Sequence, residues 1–318
     1  MKIVLLDHDH ITTDSSLWEP LKHLGRFTAY AKTSPDQMLE RCKDAEIILI
    51  NRTPVRKNLM EKLPKLRYIG VIATGYDAVD VESARERNII VKNVTSYCNQ
   101  ETAQHAMALL LEITNQIGLK NQRIHAGKWE EMKNECLLNK SMISLDGLIF
   151  GIIGYGSTGK AVGRLAQAFG MKVIFCSRSA QKIDDLSIQQ TDQKTLLETS
   201  DVISLHCPLT PAVHHLINEK TLGLMKSSAI LLNVARGGLI NEKHLAKALK
   251  ERKIYAAGVD VLEEQPPAGG NPLLSLDNFF VTPHIAWLSE ASRERLASRA
   301  IENVRNFLSG QPDIRNIA

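Results

Sequence analysis

Several things are missing from this 318-residue sequence, and each absence removes a class of protein. No apolar run approaches membrane-spanning length, and the opening stretch, residues 1–7, is too short for a signal-peptide core. A cytoplasmic protein with no membrane partner is therefore expected. Basic runs and aromatic–basic patches are absent as well. The 39 Lys and Arg are dispersed among 35 Asp and Glu, and a net charge of +4 is too mild to point to nucleic acid. Cysteine is scarce: five scattered residues (42, 98, 136, 176 and 207) form no C-x-x-C pair, so reduced thiols are expected in place of a disulfide framework. There is no low-complexity stretch and no internal repeat beyond a general strand–helix alternation. What remains is 44% hydrophobic and 23% charged, ordinary for a soluble globular chain, and long enough for two domains with separate cores.

The stretch that organises the chain is 148–159, Leu-Ile-Phe-Gly-Ile-Ile-Gly-Tyr-Gly-Ser-Thr-Gly. An apolar strand runs into Gly154, Gly156 and Gly159, and an apolar helix follows through Leu165 and Phe169. A second strand, 171–176, completes a βαβ unit, and that context gives the G-x-G-x-x-G spacing its meaning. Gly154 permits the tight turn, Gly156 lets a pyrophosphate approach the backbone, and Gly159 lets helix and strand pack closely. The phosphates then meet the free N–H groups of the helix N-terminus.

Around this centre, strands and helices alternate. Strands are expected at 3–6, 46–50, 68–72 and 89–91, and helices at 17–24, from Ser34-Pro35, from Thr53-Pro54 through Leu63, and at 81–87. That pattern makes the first hundred residues a small α/β domain with a parallel sheet. One long apolar helix is expected from Glu101 to about His125, and an extended loop over 127–146. Four more strands, at 202–205, 230–232, 256–259 and 279–281, bring the second domain to six, the doubly wound plan. An amphipathic helix over 289–308 closes the chain.

In such sheets ligands lie beyond the carboxyl ends of the strands, so the residues just past them carry the chemistry. Asn233-Val234-Ala235-Arg236-Gly237-Gly238 follows one strand, and an arginine there can clamp a carboxylate with two parallel hydrogen bonds. Thr282-Pro283-His284 follows the last strand, where a histidine can exchange a proton with a substrate oxygen near neutral pH. Asp260 ends another strand and can either hydrogen-bond a nicotinamide amide or cap a helix. Asp7-His8-Asp9-His10 has metal-ligand residue types, but no further ligand is evident, so a solvated loop is expected and no metal is assigned. His214-His215 reads as loop surface, and Cys207 as part of a backbone turn.

Gly154–Gly159, His206-Cys-Pro-Leu-Thr210, Asn233–Gly238, Gly258-Val-Asp-Val261 and Thr282-Pro-His-Ile-Ala-Trp287 together resemble the D-isomer-specific 2-hydroxyacid dehydrogenases over nearly the whole chain. Ala73-Thr-Gly-Tyr-Asp77, Asn271-Pro-Leu-Leu274 and Trp287 are most similar to the glycerate dehydrogenase and hydroxypyruvate reductase branch. The resemblance implies a Rossmann cofactor domain, residues 101–285. Beside it stands a smaller flavodoxin-like substrate domain built from 1–100 and 286–318. It implies a homodimer, and a hydride passed between NAD(P)H and a small 2-oxo acid. The dinucleotide would lie against Thr102, Gly154, Tyr155, Gly156, Ser157, Thr158, Gly159, Ser177, Arg178, Ser179, Cys207, Pro208, Val234, Ala235, Arg236, Asp260 and His284. Arg236 would bind the substrate carboxylate with the backbone amides of Thr74 and Gly75 and with Trp287, and His284 would move the proton. Some relatives of this fold are corepressors that only sense a dinucleotide, a reading against which Arg236 and His284 both argue.

Two positions depart from the family's pattern. Where an acidic residue usually holds the adenosine ribose, this chain has Ser177, followed by Arg178-Ser179 and, beyond, Lys182. Removing a carboxylate removes repulsion against a 2′-phosphate, and Arg178 offers that phosphate a planar charged fork, so NADP is expected over NAD. Where members carry a glutamate that orients the histidine, 29 residues after the arginine, Gln265 stands, as in the formate dehydrogenases of the same superfamily. A formate-dehydrogenase-like enzyme therefore stays as an alternative, although the other pocket motifs do not resemble theirs. A glutamine still accepts the imidazole N–H but lacks the charge that favours the imidazolium. Glu263 or Glu264, turned inward, would restore that charge.

Overall fold

A computed structural model of the chain describes every residue except 139–141, 179–184, 186, 268, 312–316 and 318, and leaves the side chains of 136–138 undescribed. It divides into two compact units, 1–97 with 288–318, and 98–287.

The first unit is a five-stranded parallel sheet: β1 (Lys2–Leu5), β2 (Arg26–Ala29), β3 (Ile47–Ile50), β4 (Tyr68–Val71) and β5 (Ile90–Asn93), in the order β2-β1-β3-β4-β5. This is the flavodoxin-like order. The central strands β3 and β4 are buried along their whole length, as helix-covered parallel strands must be. One face packs Val4, Ile48, Ile50, Ile69 and Val91 onto Met38, Cys42 and Leu63. The helix Glu290–Leu308 belongs to this unit. Ser289 caps it by accepting from the Ser292 amide, and it buries Leu296, Ala300 and Val304 on one stripe.

Several local expectations are corrected here. β2 was not anticipated: its burial alternates at the sheet edge, and Arg-Phe-Thr-Ala has no apolar run. Ser15–His23 is a 3₁₀ helix with Pro20 inside it. Ser34-Pro35 opens only a turn, closed by the Gln37 amide on the Ser34 carbonyl, and the helix starts at Met38, the first side chain that packs. Thr53 cannot start a helix because Asp7 holds it. The Asp7 carboxylate accepts from the amides of Asn51, Arg52 and Thr53, each at 2.7 Å, and from the Thr53 hydroxyl at 2.9 Å. The helix there spans only Lys57–Met60. Asp7 is thus buried and structural, not part of a solvated loop.

Among the described residues the second unit has seven parallel strands, one more than expected. They are β6 (Ile149–Ile153), β7 (Lys172–Cys176), β8 (Ile188–Gln190), β9 (Val202–Leu205), β10 (Ile230–Asn233), β11 (Ala256–Val259) and β12 (Phe279–Val281). Their order, β12-β11-β10-β9-β6-β7-β8, reverses between β6 and β9, the switch point of a doubly wound sheet. β8 escaped notice because it is three residues long and only Ile188 is buried. The long helix is two: Asn99–Asn115 ends where Gln116 turns left-handed (φ 53°), and Ile117–His125 follows. The break falls where the buried face, ending at Ile113 and Thr114, gives way to exposed Ile117 and Leu119. The stretch expected as loop contains a helix, Trp129–Leu138, tied back by Arg123, which forks onto Glu135 at 2.6 and 2.7 Å. Among the described residues no helix is long and apolar enough to cross a membrane.

Candidate active site

The strand order brings the carboxyl ends of β6, β7, β8 and β9 side by side, and a cleft of about 620 Å³ opens beyond them. Gly154, Tyr155, Gly156, Ser157, Ser177, Arg178, Cys207 and Pro208 line it, all of them expected from the sequence. The glycine turn is built as the spacing requires. Gly154 has φ +97°, and a Cβ there would stand 2.5 Å from the Cys207 amide nitrogen, while a Cβ on Gly159 would stand 2.3 Å from the Gly154 carbonyl. A Cβ on Gly156 would meet nothing within 4 Å. The space beside it lies at the start of the helix Ser157–Ala168, whose first backbone bond runs from the Lys160 amide to the Gly156 carbonyl. The amides of Ser157, Thr158 and Gly159 are therefore first-turn donors aimed out of the helix, a fit for a pyrophosphate.

Thr191, Asp192 and Gln193 also line the cleft and were missed, because they follow β8, the strand that was missed. Asp192 caps the next helix, its carboxylate accepting from the Thr195 amide at 2.9 Å and the Thr195 hydroxyl at 2.6 Å. Those bonds hold it below the usual carboxylate range. Lys160 and Arg178 add positive charge to the lining. Ser179 and Lys182 lie outside the described residues.

His206 shares this lining, with Nε2 2.7 Å from the Ser204 hydroxyl. Burial pushes its pKa down from 6.5 to about 4. Between those values the unfolded chain binds more protons than the folded one, so stability rises with pH through the window and is lost on acidification toward pH 4. The ring keeps some solvent contact, which trims the effect to roughly 2 kcal/mol. The stability gap between pH 7 and pH 4.5, read from urea midpoints, should narrow by that amount in His206→Gln. An unchanged gap would remove His206 as its source.

The carboxyl ends of β10, β11 and β12 carry the remaining residues. Asn233, fully buried, shapes the turn after β10. Its side chain accepts from the Ala235 amide at 3.0 Å and donates to the Arg236 carbonyl at 2.9 Å. Arg236 is half-buried and donates to the Ala235 carbonyl at 2.7 Å. Gly237 follows because a Cβ there would lie 2.0 Å from the Leu262 carbonyl group. That contact seats the arginine turn on the segment leading to Gln265.

His284 stands in the left-handed region, φ 60°. Its Nδ1 is 2.7 Å from the Gln265 Oε1, and Gln265 Nε2 donates to the Leu262 carbonyl at 2.8 Å. A carbonyl only accepts, so it fixes which end of the amide faces the ring. Nδ1 therefore carries the hydrogen, which makes Nε2 the nitrogen suited to exchange a proton. The indole of Trp287 donates to the His284 carbonyl at 3.1 Å. Asp260 is 1% exposed, and its two oxygens accept from Ile285 and Ala286 amides. Thr102 and Thr158 are turned to neighbours, Cys98 Sγ at 3.6 Å and Asn99 Oδ1 at 3.2 Å.

Glu263 does not restore the missing charge. Its carboxylate faces His214 and His215, 3.3 Å from each Nε2, and Glu264 is exposed. The histidine pair read as loop surface is thus joined in a cluster with metal-ligand residue types. Asn241 donates to His215 Nδ1 at 3.4 Å while its Oδ1 caps the His244 amide. That places the His215 hydrogen on Nε2, toward the carboxylate, a hydrogen-bonded cluster. In the first unit, Thr74 and Gly75 sit in the loop after β4, with the Thr74 carbonyl accepting from Asn93 at 2.6 Å.

A doubly wound sheet with a glycine-turn cleft, an arginine and an amide-held histidine at its strand ends defines a dinucleotide-dependent oxidoreductase. Residues 107–286 match the model described as the NAD binding domain of D-isomer specific 2-hydroxyacid dehydrogenase. The chain is 41% identical over 316 residues to a hydroxypyruvate reductase of Blautia hydrogenotrophica, covering 98% of each. It is 37% identical over 314 residues to a glycerate dehydrogenase of Methylorubrum extorquens, covering 98% of this chain and 97% of that one. The solved structure of an acyclic imino acid reductase in complex with NADPH and D-arginine is similar at TM-score 0.90 and 31% identity, with both chains covered in full. The chain belongs to the D-isomer specific 2-hydroxyacid dehydrogenase family.

Proposed function

We propose that this enzyme reduces hydroxypyruvate and glyoxylate to the corresponding 2-hydroxy acids, with NADPH preferred over NADH. The observation that carries the proton-transfer half of this reading is the His284–Gln265–Leu262 chain, which fixes the hydrogen on the imidazole Nδ1. The names of the two curated relatives support the substrate class. Arg236 takes the substrate carboxylate through paired N–H donors and polarises the 2-oxo group. Thr74, Gly75 and Trp287 keep the substrate-binding roles the resemblance implies. His284 Nε2–H gives its proton to the oxygen of the ketone as that oxygen gains charge, and takes it back in oxidation. When bound, the dinucleotide supplies or receives the hydride. A panel of 2-oxo acids assayed with both cofactors tests the proposal, and no turnover of hydroxypyruvate or glyoxylate would overturn it.

Cofactor preference rests on Ser177 and Arg178, both in the cleft lining, and on the cap bonds that turn Asp192 toward its own helix. NADPH in the similar acyclic imino acid reductase is consistent with it. We also propose a homodimer. Ile117, Leu119, Trp129 and Met142 leave 60%, 48%, 62% and 67% of their surface exposed within one stretch of the second unit. Exposed large apolar side chains along this stretch support an interface. A monomer by sedimentation equilibrium would refute it.

Gln265 sets the pH range of reduction. A glutamate in its place adds a negative charge at Nδ1, which stabilises the imidazolium. It also sets an oxygen against the Leu262 carbonyl where Nε2 now donates, and the position is exposed, so the gain is limited. In Gln265→Glu the basic limb of kcat/KM for reduction should move up by roughly half a unit to one unit. An unmoved limb in a folded, active variant would show that the side chain does not tune the histidine.

A further inference from the structure

The loop that carries His284 is held by hydrogen bonds that converge on Asp260 and Thr282. Thr282 ends the β12 edge of the sheet, its amide bonded to the Val259 carbonyl at 3.0 Å, and the His284 amide then closes a tight turn on the Thr282 carbonyl at 3.0 Å. His284 itself is left-handed, a strained conformation for a non-glycine residue that persists only where its surroundings hold it.

The buried Asp260 carboxylate grips both flanks of that residue. Upstream, the Thr282 hydroxyl donates to Oδ1 at 2.6 Å. Downstream, the Ile285 amide donates to Oδ1 at 2.9 Å and the Ala286 amide to Oδ2 at 2.8 Å. A third support reaches in from the helix Asn99–Asn115. His105 Nε2 lies 2.8 Å from the Thr282 hydroxyl and 3.5 Å from Asp260 Oδ1. The direction of these bonds follows from chemistry. The carboxylate only accepts, so the Thr282 hydrogen points to Asp260. The hydroxyl oxygen must then accept from His105 Nε2–H. The result is a directed chain, His105 to Thr282 to Asp260, ending on the two amides that follow His284.

We propose that His105 is a positioning residue for hydride-coupled proton transfer: through Thr282 and Asp260 it holds the His284 loop in its left-handed turn. The proposal rests on the reading of His284 as the group that moves the proton. In this reading His105 acts through the chain of Thr282 and Asp260. Its loss therefore lowers kcat and leaves the cleft beyond β6, β7, β8 and β9 unaltered, since His105, Thr282 and Asp260 are not part of its lining.

The test is a set of variants of the full chain: His105→Phe, which fills the space without a donor, His105→Gln, whose amide restores one, and Thr282→Val. In His105→Phe, kcat for 2-oxo acid reduction should fall about 10- to 100-fold, the scale of a misplaced reacting group, with the NADPH dissociation constant within about twofold. His105→Gln should recover most of the rate. In a Thr282→Val background, His105→Phe should cost little more, because the chain is already cut. Full kcat in a folded His105→Phe, a His105→Gln as impaired as His105→Phe, or additive losses with Thr282→Val would each overturn the proposal. Imidazole ¹⁵N resonances of His284 provide a readout that needs no turnover: they should show one protonated Nδ1 in wild type and His105→Gln, and shift or broaden in His105→Phe. A wild type inactive on every 2-oxo acid would sink the substrate reading alone, since these resonances still report on His105.

Discussion

Replacing His284 with alanine should lower kcat for reduction by roughly 10²- to 10⁴-fold, the usual contribution of a positioned acid or base. KM for the 2-oxo acid should change far less, because the proton transfer is made in the transition state. The expectation follows from geometry. His284 is fixed at Nδ1 by Gln265, whose amide is fixed in turn by the Leu262 carbonyl, and the loop around it is gripped by Asp260. A ring secured on one nitrogen and held by its backbone presents the other nitrogen in one direction. NADPH binding, followed by nicotinamide fluorescence, should survive the substitution and show that the fold is intact. A loss smaller than tenfold in a variant that still binds NADPH would mean that some other group supplies the proton.

The second large effect is expected at Arg178. In Arg178→Ala, kcat/KM with NADPH should fall roughly 10- to 50-fold, the loss of one charge-assisted contact to a phosphate, reduced for exposure. The value with NADH should hardly move, because its ribose carries no phosphate. Ser177→Asp should act in the same direction by restoring a carboxylate, and should favour NADH outright. Asp192 is the group that most opposes this reading, since it lines the same cleft with a full negative charge. Its lone pairs are engaged by Thr195, which turns the charge toward the helix it caps. Equal kcat/KM with the two cofactors in wild type would show that the cap does not suffice.

Much of the second unit was legible in the chain because its signals are local. Six of its seven strands are apolar runs, and the turn at Gly154 needs a left-handed residue next to a helix start, which only a glycine-bearing spacing provides. The residues after β10 and β12 stood out because reactive side chains at strand ends have few structural uses. Edge strands were not legible. β2 and β8 are short, half-exposed and held by hydrogen bonds to a neighbour rather than by an apolar pattern, so pairing alone creates them. Missing β8 also hid Thr191, Asp192 and Gln193, which line the cofactor cleft only because that strand delivers them there.

Sequence by itself determined the chemistry available: a glycine turn, an arginine, a histidine, and an amide where the family has an acid. Tertiary structure decided what each group faces. It turned Glu263 to the His214–His215 pair and set Gln265 against the His284 ring. Asp7 became a buried clamp on three amides, and Asp260 became a clamp on the His284 loop. His105, unremarkable on an apolar helix, was set against Thr282 at a separation of 177 residues. Such contacts are invisible to local patterning, because a carboxylate or imidazole acquires its partner only when packing removes water and leaves it one place to bond.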